Sequence, residues 1–222
     1  MSGMLPPGLM ALPGVYQPQG DTRLLAEALA REPLGRGADV LEIGTGTGAL
    51  ALQAARRGAS VVAVDVSWRA VVAARLNALR RRLPLRVLHG DFAVAATGGR
   101  FDLVISNPPY VPAPEAQTPA KGPARAWDAG PDGRAVIDRI CTVAPALLRH
   151  GGVLLMVHSG MCGTDETLDR LAAAGLVSEV TARAFVPWGP VLRSRRAWLE
   201  QRGLAAEAEE LEELVVVRAQ SL

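Results

Sequence analysis

Apolar and polar positions along this chain follow two periods, and the periods trade places in a regular order. Between residues 21 and 31, Leu24, Leu25, Ala28 and Leu29 recur at helical spacing, with Asp21 placed to cap the helix. Residues 39–43 form a short apolar run that passes directly into Gly44-Thr45-Gly46-Thr47-Gly48, and residues 49–57 return to helical spacing. The order then repeats: 60–64 reads as a strand ending at Asp65, 68–82 as a helix, 85–88 as a third strand ending near Asp91, and 101–105 as a fourth. Residues 134–148 are helical in pattern, 152–157 strand-like, and 165–174 helical, with Thr164 as cap and Gly175 as stop. The stretches 176–186 and 213–217 suit a closing antiparallel pair.

Three segments stand outside this alternation. Residues 1–20 are too rich in Pro and Gly for a long regular element, and 188–210 reads as an arginine-rich turn with a short helix. Residues 107–132 carry Pro108, Pro109, Pro112, Pro114, Pro119, Pro123 and Pro131, and a loop of that length inside a compact fold is usually functional. Strands alternating with helices predict an α/β fold: a seven-stranded, mostly parallel, Rossmann-like sheet with helices on both faces and an antiparallel C-terminal pair. A ligand is then expected at the carboxyl ends of the strands.

Composition narrows the picture. With 222 residues, 49% apolar and 21% charged, the chain can close one well-filled core, so residues 1–222 are expected to form a single domain, and dominant disorder is excluded. The longest apolar runs stop far short of the ~18 residues of a membrane helix, and the first residues lack the basic head and apolar stretch of a secretory signal. Cys141 and Cys162 are too few for a disulfide framework, which with the missing signal points to the cytoplasm. The net charge of +2 is too small to mark a protein that lives on a phosphate backbone. His89, His150 and His158 show no metal-ligand spacing with the cysteines, so no metal is expected.

The chemistry concentrates where the pattern predicts. Gly44, Gly46 and Gly48 let the backbone turn sharply and admit a ligand against the main chain. Their spacing differs from the dinucleotide fingerprint, and the helix start has no lysine to cradle phosphate. Glu42 precedes the loop, and Asp65, ending the second strand, can accept both hydroxyls of a ribose while repelling phosphate. Asp91 can accept from an exocyclic amine such as that of adenine, with Phe92 beside the ring. Each acid alone could be a helix cap or a solvated loop residue, but three at successive strand ends point to a ligand.

Val40-Leu-Glu-Ile-Gly-Thr-Gly-Thr-Gly48, Val64-Asp65, Gly90-Asp91 and Asn107-Pro-Pro-Tyr110 together resemble the class I S-adenosylmethionine-dependent methyltransferases. The resemblance implies that Glu42 and the glycine loop face the methionine part of S-adenosylmethionine, Asp65 its ribose, and Asp91 with Phe92 its adenine. In Asn107-Pro108-Pro109-Tyr110, the Asn107 side-chain oxygen and the Pro108 carbonyl can accept both hydrogens of a planar NH2 group, a poor nucleophile whose lone pair is delocalised. Tyr110 can stack on that plane, and the two prolines stiffen the backbone without adding a competing N–H.

That tetrapeptide is shared between methyltransferases of glutamine side chains and those of adenine amines. Val15-Tyr16-Gln17-Pro18-Gln19-Gly20-Asp21-Thr22, Tyr110-Val-Pro-Ala-Pro-Glu115 and Ala126-Trp-Asp-Ala-Gly-Pro-Asp-Gly-Arg134 resemble the eukaryotic and archaeal branch of the HemK-type glutamine methyltransferases. In that branch Thr22 would touch the cofactor. Gly20 stands where an acid is usual, and Ala129-Gly130 where a glycine pair is usual. The resemblance implies a glutamine amide in a protein such as a translation release factor as acceptor, and a small zinc-binding activator subunit as partner. An adenine-directed or small-molecule N-methyltransferase is the enzyme alternative, and a degenerate binding module the non-enzyme one. DNA is disfavoured because little chain remains for a recognition domain, whereas Arg80-Arg81-Arg82 and Arg193-Arg195-Arg196 keep RNA open. Trp188, Arg193, Arg195, Arg196 and Trp198 are candidate substrate contacts, weighed against an ordinary surface over a buried seam.

Overall fold

The computed structural model describes residues 5–95 and 99–222. Strands β1 (Asp39–Ile43), β2 (Ser60–Asp65), β3 (Arg86–His89), β4 (Phe101–Ser106), β5 (Leu148–Ser159), β6 (Leu176–Pro187) and β7 (Leu211–Ser221) join in one sheet of order β3-β2-β1-β4-β5-β7-β6. The first five are mutually parallel, and β7 runs antiparallel between β5 and β6. Helices α1 (Gly20–Arg31), α2 (Ala49–Arg56), α3 (Trp68–Arg81), α4 (Phe92–Ala95), α5 (Ala135–Leu147) and α6 (Thr164–Ala173) connect the strands, and α7 (Pro190–Ser194) and α8 (Arg196–Gln201) lie between β6 and β7.

The central strands read as continuous apolar runs because both of their faces are covered. Alternate residues enter two cores. Leu41, Ile43, Val104, Leu154 and Met156 pack with Ile137, Ile140 and Ala144 of α5. Val40, Leu103, Ile105, Val153 and Leu155 pack with Leu25 and Leu29 of α1, Leu50 and Ala54 of α2, and Val71 and Ala74 of α3. No helix among the described residues is long and apolar enough to cross a membrane.

Three local expectations need correcting. Asp21 does not cap α1: the cap position is Gln19, which makes no side-chain cap bond, and Asp21 lies inside the first turn with its carboxylate turned to the protein interior. Thr164 opens α6 rather than capping it. The cap position is Gly163, at φ 77°, whose carbonyl accepts from Thr167 N at 3.2 Å and from Arg134 at 3.0 Å. The span after β6 holds two short helices rather than one. Of the irregular opening segment, residues 1–4 lie outside the described residues, and residues 5–19 carry neither helix nor strand.

Strand order reverses direction between β1 and β4, and a crevice opens at such a switch point. Register brings the two loops level there. Ile43 pairs with Val64 on one side and with Ser106 on the other, so Gly44, Asp65 and Asn107 leave the sheet side by side. The Ser106 hydroxyl donates to the Ile43 carbonyl at 3.0 Å and pins the two strand ends together.

Candidate active site

At the β1–β2 end of the crevice the glycine loop folds back on β2, with Gly44 N and Thr45 N donating to the Val64 carbonyl at 2.9 and 3.2 Å. Gly46, at φ 55°, donates its N–H to Asp65 Oδ2 at 2.9 Å, and Ser67 N donates to Asp65 Oδ1 at 2.8 Å. Each carboxylate oxygen of Asp65 keeps capacity for a further donor. Burial raises the Asp65 pKa, opposed by these backbone bonds. Gly48 serves packing: at φ 81°, a Cβ there would lie 3.1 Å from the Ala74 methyl of α3.

Glu42 is buried beneath the loop, where its Oε2 accepts from the Thr45 hydroxyl and from Ala51 N at 3.1 Å. Burial pushes its pKa from 4.5 up to about 8 against the pull of those bonds. The unfolded chain ionises this group more easily than the fold does, so it subtracts stability as pH rises from 4.5 towards 8 and no further above that. Wild type is therefore expected to lose more melting temperature than Glu42→Gln between about pH 5 and pH 8.5. Equal losses in thermal melts would show that Glu42 ionises normally in the fold.

The other end of the crevice is organised by Asp21, only 4% exposed. Its Oδ2 accepts from the Tyr16 hydroxyl at 2.8 Å, Asn107 Nδ2 at 3.0 Å and the Tyr110 hydroxyl at 3.2 Å. Its Oδ1 accepts from Thr22 N at 2.5 Å and from the Thr22 hydroxyl at 3.1 Å. Asn107 Nδ2 is also 3.2 Å from Thr22 Oγ1. Both acceptors therefore face the amide nitrogen of Asn107, which leaves its Oδ1 as the end free for a ligand. Burial, then the neighbouring Asp21 carboxylate, raise the pKa of both Tyr16 and Tyr110, so both phenols stay protonated and act as donors.

Behind Tyr110 the backbone is packed too tightly for any side chain. A Cβ on Gly133, at φ 72°, would lie 2.3 Å from the Tyr110 carbonyl and 2.8 Å from Cys162 Sγ, and that thiol donates to the same carbonyl at 3.1 Å. The next residue, Arg134, is buried and binds the carbonyls of Cys162 and Gly163, the Thr167 hydroxyl and the carboxylate of Asp138. Gly133-Arg134 thus anchors the wall of the crevice to α6.

These groups enclose a cavity of about 610 Å³ lined by Thr22, Glu42, Gly44, Gly46, Asp65, Asn107, Pro108 and Tyr110, a size suited to a small-molecule ligand. Asp91 and Phe92 are not among its lining residues. Arg139 of α5 takes both Asp91 oxygens at 2.8 Å. Partial burial opposes ionisation of Asp91, but the bonds from Arg139 and Ala93 N hold its carboxyl below the usual range. The Phe92 ring is buried in the core with Arg139 4.8 Å from its centroid. Tyr16, Asp21 and Trp127 line the cavity although sequence patterning alone did not single them out as site residues.

Among the candidates in 188–210, Trp188 is 1% exposed with Arg196 stacked 4.7 Å from its ring, and Arg195 is held by Asp128 at 2.6 Å. Trp188 is thus a buried seam residue with Arg195, Arg196 and Trp198 partly buried around it, whereas Arg193 is exposed. The donor set fits S-adenosylmethionine: Glu42 and Asp65 flank the glycine loop, and Gly44 and Gly46 meet nothing closer than 3.8 Å where a Cβ would point. Residues that would hold it are Glu42, Gly44, Gly46, Asp65 and Thr22.

The family model of the methyltransferase small domain matches residues 8–121. A Methanocaldococcus jannaschii protein, provisionally named a protein N5-glutamine methyltransferase, is 36% identical over 79% of this chain and 88% of its own length. The release factor glutamine methyltransferase of Mycolicibacterium smegmatis is 37% identical over 77% of this chain, which spans 63% of that longer protein. A solved structure, the E. cuniculi Mtq2–Trm112 complex described as methylating the eRF1 translation termination factor, shares the fold with a TM-score of 0.67 at 23% identity, covering 94% of this chain and 99% of the matched one. Members of the matched family use S-adenosylmethionine as cofactor. From the switch-point crevice, its glycine loop and these relatives together, the chain belongs to the class I S-adenosylmethionine-dependent methyltransferases, in the HemK-type glutamine methyltransferase family.

Proposed function

We propose that this enzyme methylates the side-chain amide nitrogen of a glutamine in a protein, with a translation release factor as substrate, in the cytoplasm. The observation that carries the reading is the orientation of Asn107: its Nδ2 is held by Asp21 Oδ2 at 3.0 Å and Thr22 Oγ1 at 3.2 Å, beside the glycine loop. Asn107 Oδ1 and the Pro108 carbonyl then accept the two hydrogens of an incoming amide, draw electron density onto its nitrogen and hold its plane. The Tyr110 ring stacks on that plane, its hydroxyl fixed on Asp21. When bound, S-adenosylmethionine supplies an electrophilic methyl on a cationic sulfur. Glu42, Gly44, Gly46, Asp65 and Thr22 hold the donor, while Asn107, Pro108 and Tyr110 hold the acceptor. The amide nitrogen would gain the bond to the methyl carbon as the carbon–sulfur bond breaks and its electron pair returns to sulfur, and would lose one proton to water afterwards, so no strong base is required.

Substrate class follows from the relatives named for glutamine and release factor methylation, and charge placement agrees with it. Arg80–Arg82 lie at the far end of α3 from the crevice, and Arg81 donates to the Pro7 carbonyl at 2.5 Å. Arg195 and Arg196 are committed to Asp128 and Trp188. Arg69, Lys121 and Arg125 line the cavity and Arg193 is exposed, but the Arg80–Arg82 cluster is not continuous with them among the lining residues. The test is transfer of tritiated methyl from S-adenosylmethionine to a purified release factor and to total RNA, followed by mass spectrometry of the labelled peptide. Label on a glutamine supports the reading, and label on RNA alone overturns it. The Mtq2–Trm112 pairing suggests a small activator subunit for this chain too. Full transfer by the chain alone would show that none is required.

A further inference from the structure

We propose that Arg195 is a positioning residue for methyl transfer, which fixes the acceptor end of the crevice from the helical span between β6 and β7. Its catalytic consequence rests on the glutamine reading above; the contact itself does not. Because β7 is antiparallel to both β5 and β6, strand β6 ends at the same sheet edge as β4, with two strands between them, and residues 188–210 emerge at that edge and reach the loop after Tyr110. There Trp188, Leu192 and Leu199 form a small core of their own, and Val111, the residue after Tyr110, packs into it.

Arg195 sits at the junction of α7 and α8, its backbone N–H bonded to the carbonyls of Val191 and Leu192. From there Nη1 donates to the Pro112 carbonyl at 2.9 Å and to Asp128 Oδ1 at 2.6 Å. The two acceptors lie on segments that are already paired: Val111 N donates to the Trp127 carbonyl at 2.7 Å and Ala129 N to the Val111 carbonyl at 3.0 Å. One guanidinium nitrogen therefore ties both segments together, one residue beyond Val111 and Trp127, which line the cavity. The pair is largely dry, with the Arg195 and Asp128 side chains 18% and 7% exposed. Exposed ion pairs contribute little, whereas removing one partner of a buried pair strands the other charge and forces its surroundings to move. The donor end has separate supports, since the glycine loop and Asp65 are fixed by β1, β2 and Ser67.

The test compares Arg195→Ala with wild type in three measurements. Calorimetry should give an S-adenosylmethionine dissociation constant within about twofold, while kcat on a purified release factor falls by about tenfold or more, as a misplaced acceptor wall requires. Backbone amide exchange should accelerate across residues 107–130 and not across 39–65. Added guanidinium ion should recover part of the lost turnover, and Arg195→Lys, able to reach one acceptor, should fall between the two. If Arg195→Ala fails to fold, the near-isosteric Asp128→Asn should reproduce the same signature. If wild type places no methyl on the release factor, the acceptor assignment fails, yet exchange and calorimetry still decide the clamp. Unchanged exchange across 107–130, unchanged turnover, or parallel loss of cofactor affinity and turnover would overturn the proposal.

Discussion

Replacing Asn107 by Ala is expected to lower turnover by about 10²- to 10³-fold, the usual loss when one preorganised polar contact to a reacting group is removed, while leaving S-adenosylmethionine affinity within about threefold. Asp65→Ala is expected to do the reverse, weakening the cofactor by about tenfold or more, since its two oxygens stand free beyond their single backbone bonds. The contrast follows from placement. Asn107 leaves β4 on one side of β1, and Asp65 leaves β2 on the other, so each serves one end of the crevice. Calorimetry for the cofactor and single-turnover assays for methyl transfer separate the two effects. Equal losses of cofactor affinity in both variants would end the division of labour.

Asp21→Ala should harm both catalysis and stability, because its carboxylate is the shared acceptor of Tyr16, Thr22, Asn107 and Tyr110. Three donors converge on Oδ2, and two more from Thr22 reach Oδ1. Removing the carboxylate takes the shared acceptor from three hydroxyls, the Asn107 amide and Thr22 N, at about 1–3 kcal/mol for each of the one or two that find no other acceptor. A loss of about 2–4 kcal/mol of stability is expected, together with about a hundredfold fall in turnover as Asn107 loses the partner that sets its amide orientation. Asp21→Asn should retain most of the volume yet still fail in part, since whichever way its amide turns, an N–H faces an existing donor. Thermal melts and turnover of the two variants check this. Wild-type turnover in Asp21→Ala would show that Asn107 is oriented by something else.

The alternation of strand and helix, the glycine loop, and the acidic and Asn-Pro-Pro strand ends were all legible in the sequence, since each is set by residues adjacent in the chain. Asp21 was not. An Asp before an apolar helix looks like a cap, and the partners that turn it inward stand at Tyr16, Asn107 and Tyr110, the last two contributed by a distant loop. Asp91 illustrates the converse: its place after a strand suggested a ligand contact, and Arg139, from a helix far along the chain, captured it. The span 188–210 was ambiguous for the same reason. Its arginines and tryptophans can be told apart as surface or seam only once Asp128 and Val111 are brought against them.

The Asp128–Arg195 contact joins two parts of the chain that are far apart in sequence. The residues proposed to grip the methyl donor all precede β3, whereas the far wall is tied down by an excursion inserted late in the fold. The junction of α7 and α8 thereby acts on the crevice at second hand: a change there would be felt through the Pro112 carbonyl and Asp128 and not through any side chain of its own in the cavity.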